Sequence, residues 1–186
     1  MRGKVCLITG ATLGIGKETA LGLAKQGATV VMLGRDPERT RAAAEWVRKT
    51  SGNQAIDTLL GDLSLQAEVR RLAAAFKQKY DRLDVLINNA GAIFAKHGLS
   101  ADGFERTWAL NHLAYFLLTQ ELLELLKASA PARIVNVSSD AHRGATLDFD
   151  NLQGETHYSS IRAYSMSKLA NVLFTYALAR RLQGTG

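Results

Sequence analysis

Short apolar runs alternate with longer amphipathic ones along nearly the whole chain, and this alternation is the tightest constraint on its fold. Val5 to Thr9, Ala28 to Leu33, Gln54 to Leu60, Leu83 to Asn88 and Ala132 to Ser138 read as strands. Helical spacing covers Ile15 to Gln26, Pro37 to Thr50 and Leu65 to Lys79. It resumes near Ser100, runs with room for a break to Ala128, and returns from Ile161 to Leu182. Nearly all-apolar strands need helices on both faces of their sheet. The expected class is α/β: three layers, a parallel sheet and right-handed crossovers. The chain is expected to stop after a sixth major helix. Gly184-Thr185-Gly186 is a helix-end signal at a point where another strand would follow.

The 186 residues suit one α/β domain, 1–186, with no linker, repeat or low-complexity tract. The formal charge is +6, but the basic residues are scattered. No aromatic–basic stripe marks a nucleic-acid surface, so no nucleic-acid partner is expected. A basic pocket for a phosphorylated cofactor fits the charge better. Cys6 is the one cysteine, which excludes an internal disulfide and suits a reducing compartment. No signal-peptide pattern precedes Lys4-Val-Cys-Leu-Ile-Thr9, and no apolar run reaches the ~20 residues of a membrane span. The expected location is cytoplasmic, with peripheral membrane attachment left open. His97, His112, His142 and His157 lack zinc-ligand spacing, and no metal site is expected.

Thr9-Gly-Ala-Thr-Leu-Gly-Ile-Gly16 leads from the first strand into the first helix. Gly10, Gly14 and Gly16 permit a tight turn and a close backbone approach to pyrophosphate, with the helix N-terminus supplying N–H groups and a favourable dipole. The second strand ends in Gly34-Arg35-Asp36. An acid there commonly accepts from the ribose hydroxyls of NAD. Here Arg35 comes first, and Lys17 follows the glycine turn; both cations could face a 2′-phosphate, favouring NADP over NAD, or be ordinary solvated charges. Asp36 could cap the helix that Pro37 begins. Asp62 could accept from the adenine amino group or cap a helix. Asn88-Asn-Ala-Gly91 could admit a ribose close to the backbone or form a plain turn.

Tyr164-Ser-Met-Ser-Lys168 opens the last helix and puts Tyr164 and Lys168 on one face, a turn apart. A phenol has a reference pKa near 10, and a lysine charge beside it favours the phenolate. Such a pair can exchange a proton with a substrate hydroxyl or carbonyl. By themselves Asn111 could be a packing or kink residue, and Ser139 could cap a turn.

Taken together, these motifs resemble the short-chain dehydrogenase/reductase family, in its retinol-dehydrogenase-like branch, over nearly all of the chain. The resemblance rests on Thr9-Gly-x-x-x-Gly-x-Gly16, Asp62-Leu63, Asn88-Asn-Ala-Gly91, Asn111, Val137-Ser-Ser139 and Tyr164-x-x-x-Lys168. Asn151-Leu-Gln-Gly-Glu155 and Ser167-Lys-Leu-Ala-Asn-Val-Leu-Phe174 point to the branch. It implies a Rossmann-like NAD(P)-binding domain, incomplete at its C-terminus. It implies a catalytic tetrad of Asn111, Ser139, Tyr164 and Lys168, with Ser139 chosen over its neighbour Ser138. Tyr164 would be the acid in carbonyl reduction, Ser139 would polarise the substrate oxygen, Lys168 would hold the nicotinamide ribose, and Asn111 would position a relay water. The implied cofactor set is Gly10, Thr12, Leu13, Gly14, Ile15, Gly16, Lys17, Arg35, Asp62, Leu63, Asn89, Ala90 and Gly91, with Tyr164 and Lys168. The implied activity moves a hydride between NADP(H) and a lipophilic alcohol or its aldehyde or ketone, with a homo-oligomer as the common family state. The alternative is a catalytically incomplete nucleotide-binding or interaction protein. Ser139 and Tyr164 stand 25 residues apart, longer than in many family members. The connecting segment, with His142, Phe149, Leu152, His157 and Tyr158, could line a lipophilic pocket or lie on the surface. Phe94 could reach that pocket or make a core or lid contact.

Overall fold

A computed structural model describes residues 1–185; Gly186, the last residue of the helix-end signal, lies outside the described residues. Five parallel strands are laid out in the order β3-β2-β1-β4-β5. They are β1 Val5–Thr9, β2 Thr29–Gly34, β3 Ile56–Leu60, β4 Val85–Asn88 and β5 Arg133–Asn136. Helices α1 Gly14–Lys25 and α2 Pro37–Ser51 cover one face. Helix α3 Gln66–Lys79 and the helical run from Arg106 to Ala128 cover the other, and α6 Ser160–Arg181 packs beside that run. β1 is paired on both sides, Cys6 with Val30 and with Val85, and its five residues are all buried. That double burial is why Val-Cys-Leu-Ile carries no polar alternation.

The chain builds outward from β1 through β2 to β3, then returns to β4 on β1's other side. Two loops therefore part at the C-terminal ends of β1 and β4, and the crevice between them is where open α/β sheets take ligands. A buried carboxylate fixes the opposite end of this strand pair. Asp84, 2 % exposed, accepts from Val5 N–H, Lys4 Nζ and Arg82. Burial raises its pKa, but the two cations and the backbone donor outweigh that and hold the carboxyl well below the usual range.

Three sequence expectations need correction. Helical spacing near Ser100 does not become helix: residues 99–105 form a turn closed by a Leu99–Glu105 bridge, with Gly103 at φ +81°. The helix starts at Arg106 because the Glu105 carboxylate accepts from Thr107 N–H and Trp108 N–H. From there α4 Arg106–Trp108, a π-turn Ala109–Leu113 and α5 Ala114–Ala128 form one continuous run. The expected break is thus a π-turn within that run, and the described residues hold five long helices rather than six. Lastly, β5 ends at Asn136 rather than Ser138, as its exit turns toward α6.

Candidate functional site

The glycine turn, the β4 exit and the start of α4 enclose a cleft of about 640 Å³. Two of the glycines are required by space. A Cβ on Gly10, at φ +64°, would stand 2.8 Å from Ala90 Cα; one on Gly16 would stand 2.4 Å from Gly10 O and 2.5 Å from Asn89 Nδ2. Asn89 is the strut of this arrangement: its Nδ2 donates to Thr9 O and Gly10 O, while Thr9 Oγ1 accepts from Asn89 N–H and Ala90 N–H. The turn is thereby tied to the β4 exit. No side chain caps α1, and its first turn holds no acid. Its leading N–H groups stay available to an anion, and the turn fits a pyrophosphate. Leu13 and Ile15 are 65 % and 69 % exposed at the mouth.

Gly10, Thr12, Leu13, Gly14, Ile15, Gly16, Arg35, Asp62, Leu63, Asn89, Ala90 and Gly91 all line the cleft. Lys17 does not: its Nζ sits 3.8 Å from the Trp46 ring centroid, drawn to α2 by the aromatic face. Asp36 caps α2 through Arg39 N–H at 2.9 Å, the role open to it from sequence. Asp62 does not cap α3. It accepts from Ser64 N–H at 2.9 Å and Ser64 Oγ at 2.7 Å, and Arg35 Nη1 lies 3.5 Å away. Burial raises the Asp62 pKa, but these donors outweigh it and keep the carboxylate charged. Cap duty on α3 falls to Asp102, which accepts from Gln66 N–H.

Of the candidate catalytic residues, Asn111, Tyr164 and Lys168 come together where α6 crosses the π-turn. Lys168 is 3 % exposed, and its Nζ donates to Val137 O at 3.0 Å and lies 5.6 Å from the Tyr164 ring centroid. Ser138 Oγ returns a bond to Lys168 O at 2.9 Å, so the β5 exit is fastened to α6 at this lysine. Burial lowers the Lys168 pKa to about 8. Asn111 is fully buried, and its side chain bonds Ala92 N–H, Ala92 O and Ser167 Oγ. A Cβ on Gly91 would lie 3.3 Å from Asn111 Oδ1 and 3.6 Å from Lys168 Nζ, which puts the end of the nucleotide cleft beside the lysine. Ser139 Oγ accepts from Ala141 N–H at 3.2 Å and so caps a short 3-10 turn beside α6.

Sequence reasoning missed two groups. Asn171 is fully buried; its Nδ2 donates to Asn111 O at 2.8 Å and its Oδ1 accepts from His112 Nδ1 at 3.0 Å. Asn171 thus bonds the π-turn at the Asn111 carbonyl. Burial lowers the His112 pKa, against the pull of the Asn171 bond, and keeps the ring neutral. An asparagine in Ser167-Lys-Leu-Ala-Asn-Val was the available signal. Arg106, the second, lines the cleft with Phe94, for which the sequence had left a pocket contact open. The segment joining Ser139 to Tyr164 clasps the loop that carries them. Glu105 N–H donates to Gln153 Oε1, His97 Nε2 meets Gln153 O, and Tyr158 OH donates to Phe94 O at 2.6 Å. Phe149 points to solvent.

The family model described as short chain dehydrogenase matches residues 4–186. Human retinol dehydrogenase 11 is 50% identical over 184 residues, covering 99% of this chain and 58% of that protein. Human retinol dehydrogenase 13 is 46% identical over 185 residues, covering 99% and 56%. The chain thus spans somewhat over half the length of these relatives. Among solved structures, a Pseudomonas aeruginosa RhlG/NADP active-site complex superposes with TM-score 0.80 at 34% identity, covering all of this chain and 69% of that one. A short-chain dehydrogenase from Escherichia coli CFT073 complexed with NADPH superposes with TM-score 0.81 at 30% identity, covering 98% and 73%.

Proposed function

Because the chain belongs to the short-chain dehydrogenase family, we propose that it performs NADP-dependent oxidoreduction of a lipophilic alcohol and its aldehyde or ketone. The observation that carries this is the meeting of Gly91, Asn111 and Lys168 at the end of the nucleotide cleft, with Tyr164 beside the lysine. Two solved relatives named with NADP or NADPH support the choice of cofactor. The similarity to retinol dehydrogenases supports the substrate class.

NADP supplies or takes up the hydride when bound. Gly10, Gly14 and Gly16 would hold its pyrophosphate at the α1 N-terminus, and Arg35 would face the 2′-phosphate. In carbonyl reduction, the Tyr164 hydroxyl gives its proton to the substrate oxygen while the Ser139 hydroxyl donates to the same oxygen. Lys168 places a cation beneath the nascent phenolate and holds the β5 exit against α6. Asn111, locked by Ala92, Ser167 and Asn171, keeps the approach to the lysine open to a relay water. In alcohol oxidation the same proton runs the other way.

The test is NADPH-dependent reduction of a panel of aldehydes from short to retinoid-sized, with Tyr164→Phe beside the natural chain. Turnover on the long, apolar members, reduced about 10²- to 10⁴-fold in Tyr164→Phe, supports the proposal. NADPH binding without turnover on any member supports the incomplete nucleotide-binding protein instead. Arg35→Asp should abolish a preference for NADPH over NADH; equal affinities before and after would reject the charge assignment.

A further inference from the structure

Arg106 is the cation that the cleft leaves unexplained. It stands at the start of α4, on the sheet face opposite α1, so it belongs to the wall facing the glycine turn. Its guanidinium is packed between Phe94 and Gly98: Cζ lies 4.5 Å from the Phe94 ring centroid, and a Cβ built on Gly98 would lie 3.0 Å from Nε and 3.1 Å from Nη2. The orientation is thus set without a hydrogen bond. Nε is buried and has no partner. Among the described residues no carboxylate lies within salt-bridge distance of this arginine. Adjacent Glu105 spends its oxygens on Thr107 N–H and Trp108 N–H.

A partly desolvated cation with unused donors is unfavourable unless something answers it. The loop also preorganises it, since Tyr158 and Gln153 anchor Phe94 and Glu105 on either side. A planar donor edge of fixed orientation matches the oxygens of a phosphate. Arg35 is in contact with Asp62 at the far end, by β2, so the two arginines serve different parts of the cleft.

Resting on the nucleotide reading of the cleft, we propose that Arg106 is a second phosphate-recognising group, receiving a nucleotide phosphate on its free guanidinium edge from the wall opposite the glycine turn. The phosphate comes from the pyrophosphate or from the 2′ position, and fragments separate the two.

The experiment measures binding of adenosine, ADP, adenosine 2′,5′-bisphosphate and NADPH to the full chain, its Arg106→Met variant and its Arg35→Ser variant. Losing a charged hydrogen bond should weaken ADP and NADPH about 10- to 100-fold in Arg106→Met. Adenosine should bind both chains equally, and raising the salt should narrow the gap. Arg35→Ser should weaken the bisphosphate and NADPH and spare ADP. If Arg106→Met weakens the bisphosphate and spares ADP, the pyrophosphate is excluded and the 2′-phosphate is the group it holds. Unchanged affinities for every phosphate ligand in Arg106→Met overturn the assignment, as does an equal loss for adenosine, which marks Arg106 as a packing residue. A natural chain that binds none of these ligands overturns the nucleotide reading as well. Should Arg106→Met fail to fold, the Arg106 Nη–H resonance of the natural chain decides. It should shift on ADP or bisphosphate titration, and a resonance unmoved at saturation by both removes the assignment.

Discussion

Lys168→Met should make the protein more stable at neutral pH while removing its proposed chemistry. The lysine is 3 % exposed, and burial brings its pKa from 10.5 to about 8. At about 1.4 kcal/mol per unit, holding the charge inside costs roughly 3 kcal/mol at neutral pH. Methionine has a similar volume and no charge, but it strands Val137 O, and that lost bond costs about 1–2 kcal/mol. The variant should therefore gain about 1–2 kcal/mol at pH 7, or a melting temperature about 2–8 °C higher. The sign reverses in alkali. Between about pH 8 and 10.5 the unfolded natural chain binds a proton that the folded one has released, so the natural chain gains stability as pH rises. Above that window its lysine is neutral and keeps its bond, and the natural chain should lead by about 1–2 kcal/mol. Urea unfolding of both chains from about pH 7 to 10.5 measures the difference, in which titrations elsewhere cancel. A difference flat across that range would refute the buried-ammonium account, whatever its size.

Gly16→Ala should destabilise the chain by about 1–3 kcal/mol, because its methyl group collides with Gly10 O and Asn89 Nδ2; urea unfolding and NADPH binding measured together should show affinity falling as well. Asp84→Asn should leave Lys4 and Arg82 without their carboxylate, costing about 2–4 kcal/mol at neutral pH. Since folding holds the Asp84 carboxyl below its unfolded value of 3.8, its contribution is full above that pH and is lost as acid protonates the folded carboxylate. Acid titration of stability should therefore be steeper in the natural chain than in Asp84→Asn, and equal slopes would refute it.

Much of this protein follows from local chemistry. A strand buried on both faces can only be apolar, so β1 and β2 are plain in the sequence. Asp36-Pro37 starts α2 because an aspartate cap and a proline at the first helical position each suit only that place. Tyr164 and Lys168 share a face because they are four residues apart in a helix. Gly10 and Gly16 announce a turn, though only the tertiary structure shows that Ala90 and Asn89 are what a methyl group would strike.

Partnership between distant elements decided the rest. Lys17 has the right position for a phosphate, yet Trp46 holds it, and no pattern within α1 could indicate a ring on α2. The Asn111 carbonyl of the π-turn accepts from Asn171, sixty residues away. Arg106 reads as one more helical charge; it becomes a cleft residue because Glu105 starts the helix there and the Phe94 ring packs against the guanidinium. Local spacing sets backbone state and which face a side chain shares. The reach of a long side chain, and whether its charge finds a partner, is settled only when loops from different strands meet at one end of the sheet.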